Sequence, residues 1–135
     1  MDLVPKGKVL LVEDDDQVRS FIRMLLTTNG YQVLEASTGS EGLEIAERPS
    51  NEIDLLLSDM LLPELSGYDL AQKVQELRPE IKILFMTGYV EGEIVQRSMS
   101  ELGARFLDKP FQPATLLTRV EEAIHAGPQQ NEEVA

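Results

Sequence analysis

The sequence predicts an α/β fold, with a five-stranded parallel sheet and helices on both faces of it. Short apolar runs alternate five times with longer stretches whose apolar residues recur at helical spacing. This alternation is typical of βα units, in which the strands lie parallel and the crossovers are right-handed. The length of 135 residues suits one domain around a single core.

The first two βα units occupy the N-terminal part of the chain. Residues 8–12 form the first predicted strand, and the helix after it ends near Gly30. That helix carries apolar residues at i, i+3, i+4, i+7 and i+8, namely Val18, Phe21, Ile22, Leu25 and Leu26. Residues 31–36 alternate in polarity, which predicts a strand with one wetter side. Residues 40–48 predict a short helix that Pro49 stops.

The third unit predicts the centre of the sheet. Residues 53–58 are apolar almost throughout, as in a strand that is covered on both faces. A loop that ends at Gly67 leads into the next helix, which stops before Pro79. The apolar face of that helix consists of Leu70, Val74 and Leu77. Residues 81–87 then form the fourth predicted strand.

The last two helices flank a fifth strand at residues 105–109. The helix before it should end at Gly103 and present an apolar face made of Val95, Met99 and Leu102. Pro113 suits the first position of the final helix. The apolar stripe of that final helix is Leu117, Val120 and Ile124. We therefore expect a domain over residues 7–126, a flexible N-terminus at 1–6 and a disordered polar tail at 127–135.

Composition excludes several classes of function. Twelve Lys and Arg face 24 Asp and Glu, and the resulting net charge of −12 argues against direct binding to nucleic acid. No stretch approaches the roughly 20 apolar residues of a membrane span, so we expect this domain to make no membrane contact. The chain has no cysteine, which rules out disulfides and thiolate metal sites.

Polar side chains follow four of the five predicted strands where those strands end. They are Glu13 and Asp14, Asp59, Thr87 and Lys109. The carboxyl ends of parallel strands meet at one edge of the sheet, and ligands bind there. Three carboxylates that lie close together repel one another unless a cation lies among them. Oxygen ligands favour Mg²⁺, Mn²⁺ or Ca²⁺ over zinc. Of these we expect Mg²⁺, with Mn²⁺ as an alternative, because Mg²⁺ takes only a few carboxylates and leaves room for a phosphate oxygen.

This set of groups also suits phosphoryl transfer. A carboxylate can act as a nucleophile toward phosphorus while a metal ion neutralises charge on the transferred group. Lys109 offers a second cation, and the hydroxyl of Thr87 can donate a hydrogen bond to a phosphoryl oxygen. The backbone N–H groups of Met60 and Gly88 are expected to add two more donors.

Four segments together resemble the receiver domain of two-component response regulators. They are residues 9–15, 57–67, 86–89 and 106–111, and the resemblance extends over residues 7–126. It implies a flavodoxin-like, doubly wound fold with strand order 2-1-3-4-5, an order that periodicity alone leaves open. It also implies that Asp59 accepts a phosphoryl group from a phosphohistidine on a histidine kinase or a histidine phosphotransfer protein.

The resemblance assigns roles to the remaining polar residues. It implies Mg²⁺ ligands at Asp14, Asp59 and the backbone carbonyl of Leu61, with Glu13 acting through water. It implies that Thr87 and Lys109 contact the phosphoryl oxygens.

The resemblance also implies a conformational switch, in which the Thr87 hydroxyl moves inward and an aromatic residue changes rotamer. Phe106 occupies that aromatic position, where tyrosine is commoner in the family. Because phenylalanine has no hydroxyl to exchange a hydrogen bond, the switch could survive as a packing change or be muted.

The wording of the motifs is most similar to receivers at the C-terminus of hybrid sensor histidine kinases, although a free-standing regulator fits equally well. Such a domain catalyses only its own phosphorylation and dephosphorylation. We expect it in the cytoplasm, or tethered there as part of a membrane sensor kinase. A phosphorylation-dependent dimer is a further expectation.

Three alternatives compete with a phosphoacceptor. A phosphatase or mutase with an aspartyl nucleophile needs a second acid two residues later, where this chain has Leu61. A carrier of FMN or a nucleotide needs a phosphate-binding loop after the first strand, where residues 13–16 are all acidic. A receiver fold that acts only by protein contacts, without regulation by phosphorylation, is the third.

Overall fold

Ten elements build an α/β domain in the computed structural model, which describes residues 5–88 and 92–125. In chain order they are β1 (Gly7–Val12), α1 (Asp16–Thr28), β2 (Tyr31–Ala36), α2 (Gly39–Ala46), β3 (Leu55–Asp59), α3 (Gly67–Leu77), β4 (Lys82–Thr87), α4 (Gly92–Leu102), β5 (Arg105–Asp108) and α5 (Pro113–His125). The strands form one parallel sheet in the order β2-β1-β3-β4-β5. The predicted fold class and strand order are therefore confirmed.

The register of the central strands brings their carboxyl ends to one level. Val12 of β1 pairs with Ser58 of β3, and Asp59 pairs with Met86 of β4. Thr87 in turn pairs with Asp108, which directly precedes Lys109 in the chain. The residues that follow β1, β3, β4 and β5 therefore meet at one edge of the sheet.

Two apolar layers cover the two faces of the sheet. Alternate residues of a strand point to opposite faces, so Leu56 packs in the layer beneath α2, α3 and α4. Leu55 and Leu57 pack in the opposite layer, with Ile22 of α1 and Val120 of α5. All five of these side chains are fully buried, and each such burial contributes about 1.5–3 kcal/mol of transfer free energy.

The predicted apolar face of α4 is wrong in part. Leu102 is buried as expected, but Met99 is 49% exposed. Ile94 and Ser98 lie against the sheet instead, and Ser98 is completely buried. Serine carries no hydrophobic signal. The spacing of apolar residues therefore predicted burial of the helix face that carries Met99, whereas the fold buries the adjacent face that carries Ser98. The Ser98 hydroxyl has no hydrogen-bond partner among the described residues.

Two other predicted apolar faces each include a residue that the fold leaves exposed. Phe21 of α1 is 43% exposed, and Leu77 of α3 is 50% exposed. The third strand also begins at Leu55 rather than at residue 53. Asp54 is exposed just before it, and its carboxylate accepts a hydrogen bond from the backbone N–H of Lys8 (2.8 Å).

The ends of the domain are described only in part. Residues 1–4 and 126–135 lie outside the described residues, so the expected flexible terminus and disordered tail stay predictions. The backbone N–H of Lys6 donates to the carbonyl of Gly30 (2.8 Å), which attaches this residue to the end of α1. Within the described residues, no helix has the length and apolar character needed to cross a bilayer.

Candidate functional site

An open cleft of about 330 Å³ lies at the carboxyl edge of the sheet. All eight residues predicted to bind the metal or contact the phosphoryl group line it, namely Glu13, Asp14, Asp59, Met60, Leu61, Thr87, Gly88 and Lys109. They converge because the ends of β1, β3, β4 and β5 lie at one level of the sheet.

Three carboxylates form the acidic part of the cleft. Glu13, Asp14 and Asp59 each place one oxygen within 4.8 Å of the oxygens of the other two. Glu13 is 1% exposed and Asp59 is 6% exposed, whereas Asp14 faces solvent. Buried carboxylates this close together need a cation. The donor set is made of oxygen alone, which fits a hard divalent ion such as Mg²⁺.

Lys109 supplies one positive charge to this acidic cluster. Its Nζ lies 2.7 Å from Oδ1 of Asp59 and 3.2 Å from Oε1 of Glu13. One ammonium therefore pairs with two buried carboxylates, and Asp14 has no ionic partner among the described residues. The cluster keeps a net negative charge that a divalent cation would balance.

The loop after β1 is fixed by its own acidic residues. Asp15 caps α1 through its Oδ1 atom, which accepts hydrogen bonds from the backbone N–H groups of Gln17 (2.9 Å) and Val18 (3.0 Å). The backbone N–H of Asp15 in turn donates to Oε2 of Glu13 (3.0 Å). The side chain of Glu13 is thereby held by this N–H and by Lys109.

Thr87 is the last residue of β4. Its Oγ1 atom is buried and has no hydrogen-bond partner among the described residues. Leaving a buried hydroxyl unpaired costs about 1–3 kcal/mol. Since the same residue lines the acidic cleft, this hydroxyl is a donor that a ligand in the cleft could use.

The prediction for the backbone N–H of Met60 is wrong. That N–H donates to the carbonyl of Met86 (3.0 Å), because the pairing of β3 with β4 continues for one residue beyond Asp59. It is therefore not free to bind a ligand. The N–H groups of Leu61 and Gly88 have no hydrogen-bond acceptor within residues 5–88 and 92–125, and both residues line the cleft.

Phe106 lies outside the cleft, on β5. It is half-buried against the apolar layer beneath α4, and its ring centroid is 5.7 Å from that of Phe85 at a tilt of 42°. Its backbone carbonyl accepts a hydrogen bond from Arg119 (2.8 Å). The rotamer switch that the resemblance implies for Phe106 and Thr87 stays a prediction.

One contact at the cleft has no counterpart in the sequence patterns. The guanidinium of Arg19 on α1 donates to the backbone carbonyl of Glu13 (2.8 Å). Arg19 lies outside the apolar stripe of its helix and outside the four motif segments, so neither pattern marks it.

The electrostatic environment makes Asp59 a weak acid. Burial is the largest cause and, with the neighbouring Glu13, raises the pKa of Asp59 to about 7 even though Lys109 acts in the opposite direction. Burial by itself lowers the pKa of Lys109, but Asp59 and Glu13 outweigh it and raise that pKa above its ordinary value. Lys109 therefore stays charged near neutral pH, while metal-free Asp59 is partly protonated.

The raised pKa of Asp59 predicts that the metal-free protein loses stability as the pH rises. The folded state binds this proton more tightly than the unfolded state does, so the contribution is complete below about pH 4 and is lost as the pH passes through about 7. Between about pH 5.5 and about pH 8 the expected loss is ~2 kcal/mol. Urea unfolding in EDTA should measure it, and Asp59→Asn should remove this part of the pH dependence. An equal pH dependence in both proteins would contradict the assignment.

Comparison with known proteins gives relatives of one kind. Residues 9–121 match the response regulator receiver domain family. The chain is 38% identical over 123 residues to the sensor kinase CckA of Brucella abortus, a match that covers 91% of this chain and 13% of CckA. It is 33% identical over 120 residues to the response regulator receiver protein CpdR of the same organism, covering 88% of this chain and 98% of CpdR.

A solved structure gives the same relationship in three dimensions. The crystal structure of the receiver domain from the hybrid histidine kinase CckA superposes with a TM-score of 0.75 at 37% identity, and the match covers 88% of this chain and all of that one. The chain thus corresponds to one module of a much longer kinase and to nearly the whole of a receiver protein. By sequence, fold and the residues gathered at its cleft, it belongs to the family of response regulator receiver domains.

Proposed function

We propose that this domain is the phosphoacceptor of a two-component phosphorelay, with Asp59 as the residue that carries the phosphoryl group. The observation that carries the proposal is the setting of Asp59. Its carboxylate lies at the base of an open cleft, 2.7 Å from the Lys109 ammonium, and Thr87, whose buried hydroxyl is unpaired, lines the same cleft. A nucleophile, a cation and a free donor there suit a phosphoryl group with its negative oxygens.

A divalent cation would be held by the acidic cluster. Asp14 is exposed and makes no hydrogen bond or ion pair among the described residues, so its carboxylate is free to be a direct ligand, together with Asp59 and the carbonyl of Leu61. Glu13 is already engaged by Lys109 and by the N–H of Asp15, which suits a contact through water. Mg²⁺, or Mn²⁺ in its place, would neutralise charge on the transferred group.

Each residue of the cleft then has a separate role in phosphoryl transfer. A carboxylate oxygen of Asp59 forms the new bond to phosphorus, while the bond from phosphorus to the imidazole nitrogen of the donor histidine breaks. The electron pair of that bond stays on the imidazole. Lys109 balances the negative oxygens of the group, and the Thr87 hydroxyl with the N–H groups of Leu61 and Gly88 can donate hydrogen bonds to them.

The proposed partners are a histidine kinase or a histidine phosphotransfer protein, which supplies the phosphohistidine. The domain would work in the cytoplasm, either as a separate receiver in the manner of CpdR or as a module of a hybrid kinase in the manner of CckA. It would assist only its own phosphorylation and hydrolysis and turn over no other substrate. Its signal would pass by protein contact, with a phosphorylation-dependent dimer as one form of it.

The test is uptake of a single phosphoryl group. The protein is incubated with MgCl₂ and a small phosphodonor in one experiment, and with MgCl₂ and a phosphorylated histidine phosphotransfer protein in another. Its intact mass is followed in both. We expect the mass of one phosphoryl group to be added with MgCl₂ and almost none to be added with EDTA. If neither donor adds mass, the domain would instead be a receiver fold that acts only by contact.

A further inference from the structure

The guanidinium of Arg19 joins three separate parts of the fold. One terminal nitrogen donates to the backbone carbonyl of Glu13 (2.8 Å), and the other donates to Oδ1 of Asp16 (2.7 Å). Its Nε atom lies 3.4 Å from Oε1 of Glu35 on β2. The side chain is only 17% exposed. Such a planar group with fixed donor directions holds its acceptors in a defined geometry.

These contacts fix the peptide group that leads into Asp14. The peptide between Glu13 and Asp14 is planar, so anchoring its carbonyl also sets the direction in which Asp14 leaves the chain. The N–H of Glu13 is anchored as well, by donation to the carbonyl of Ala36 at the end of β2 (3.1 Å). Both backbone polar groups of Glu13 are therefore held, one by β2 and one by Arg19.

Asp14 is the acidic residue that depends most on this support. The carboxylates of Glu13 and Asp59 are both held by Lys109. The carboxylate of Asp14 is exposed and has no hydrogen-bond or ionic partner in the part of the chain that the structure describes. Its place beside the other two carboxylates is therefore set by its backbone.

We infer that Arg19 is a positioning residue for the cation site: by holding the carbonyl of Glu13, it keeps the Asp14 carboxylate in place beside Glu13 and Asp59. This inference rests on the proposed function, because it concerns the affinity for the divalent cation that the function requires. Arg19 itself touches neither the cation nor the phosphoryl group.

The charge of Arg19 makes the inference easy to test. Its positive charge should weaken binding of the divalent cation, whereas its positioning of the Glu13 carbonyl should strengthen that binding. The hydrogen bond to Asp16 is the largest influence, and together with Glu35 it raises the pKa of Arg19 further above its ordinary value, so the group stays positive. A positive charge near three carboxylates opposes the binding of a dication. If Arg19 acted only through its charge, its removal would strengthen cation binding, whereas loss of positioning would weaken it.

The experiment is a titration of the unphosphorylated protein with MgCl₂, followed by the NMR shifts of the backbone amides at residues 14–16. We expect Arg19→Ala to bind Mg²⁺ about 10-fold more weakly than the wild type, the size typical of a lost outer contact. Arg19→Lys keeps the charge but loses the planar fork, and it should also bind more weakly. In metal-free Arg19→Lys, the amide of Glu13, which donates to the carbonyl of Ala36, should exchange its hydrogen faster than in the wild type.

Two variants serve as matched controls. Arg23 pairs with the same Glu35 (2.9 Å) but has no hydrogen bond to Glu13, so Arg23→Ala removes a neighbouring charge without touching the loop. Glu35→Gln removes the ion pairs of both arginines and leaves the contact from Arg19 to Glu13. Both should bind Mg²⁺ with an affinity within about two-fold of the wild type, since neither removes the hydrogen bond from Arg19 to the carbonyl of Glu13.

The outcomes separate the inference from the function. Wild-type or tighter Mg²⁺ binding by Arg19→Ala would overturn the positioning role and leave the proposed function standing. If Arg19→Ala fails to fold, Arg19→Lys decides, and wild-type affinity with unchanged amide exchange at Glu13 would overturn the role. Absence of Mg²⁺ binding by the wild-type protein would instead refute the proposed function itself.

Discussion

Asp59→Asn is expected to abolish uptake of a phosphoryl group completely. The amide has nearly the shape of the carboxylate but lacks its nucleophilic oxygen anion, so no bond to phosphorus can form. The fold should survive, because the buried carboxylate that is replaced already has a pKa raised to about 7 and tolerates a neutral form. Intact mass after incubation with MgCl₂ and a small phosphodonor measures the loss, and circular dichroism checks the fold.

A second carboxylate provides the control for this variant. Asp69 is exposed in the first turn of α3, and it does not line the cleft. Asp69→Asn should therefore take up one phosphoryl group at the wild-type rate. Uptake by Asp59→Asn at a rate comparable with the wild type would show that the group is attached to another residue, and the role assigned to Asp59 would be lost.

Gly67→Ala should be among the most damaging single substitutions in the domain. A Cβ atom at this position would lie 2.0 Å from the carbonyl oxygen of Asp59 and 2.9 Å from Cα of Met60. Both contacts are with backbone, so no side chain can rotate away. We expect a loss of about 3 kcal/mol or more in the free energy of unfolding, because overpacking of this severity forces the main chain to move. Urea unfolding at fixed pH measures it.

The same substitution should also weaken phosphoryl uptake, because it displaces the residue that carries the group. The N–H of Gly67 donates to the carbonyl of Met60 (2.8 Å) and joins the start of α3 to the end of β3. Gly92 is the control, because a Cβ there meets nothing within 4 Å and Gly92 is likewise the first residue of a helix. Gly92→Ala should be neutral or stabilising by up to about 1 kcal/mol. Wild-type stability of Gly67→Ala would contradict the account of this turn.

The sequence was sufficient for the fold and for most of the cleft because both depend on local patterns. Apolar runs define the strands, and parallel strands place their carboxyl ends together, so Asp59, Thr87 and Lys109 could be brought to one edge without coordinates. The strand order needed the family resemblance. The period of apolar residues shows which residues are buried but not which strand lies beside which.

The features that escaped prediction depend on distant contacts or on residues that a hydrophobic pattern ignores. Ser98 is buried under α4, yet it carries no apolar signal. The N–H of Met60 is taken by Met86, a pairing that follows from how far the ladder of β3 and β4 extends. Arg19 donates to the carbonyl of Glu13 across the loop between β1 and α1, a contact that no hydrophobic pattern marks.

The leucine run of β3 has a consequence for the fidelity of folding. Leu55, Leu56 and Leu57 are buried on both faces, so a slip that moves each residue to the next place would exchange leucine for leucine at the places of residues 56 and 57. The same slip would bring Ser58 to the place of the reactive acid and would bury the carboxylate of Asp54 at the place of Leu55. The polar residues at the two ends of the strand, rather than the leucines, therefore set the alignment. Asp54 exchanges hydrogen bonds with the backbone of Lys8 at one end, and Met60 bonds to Met86 at the other.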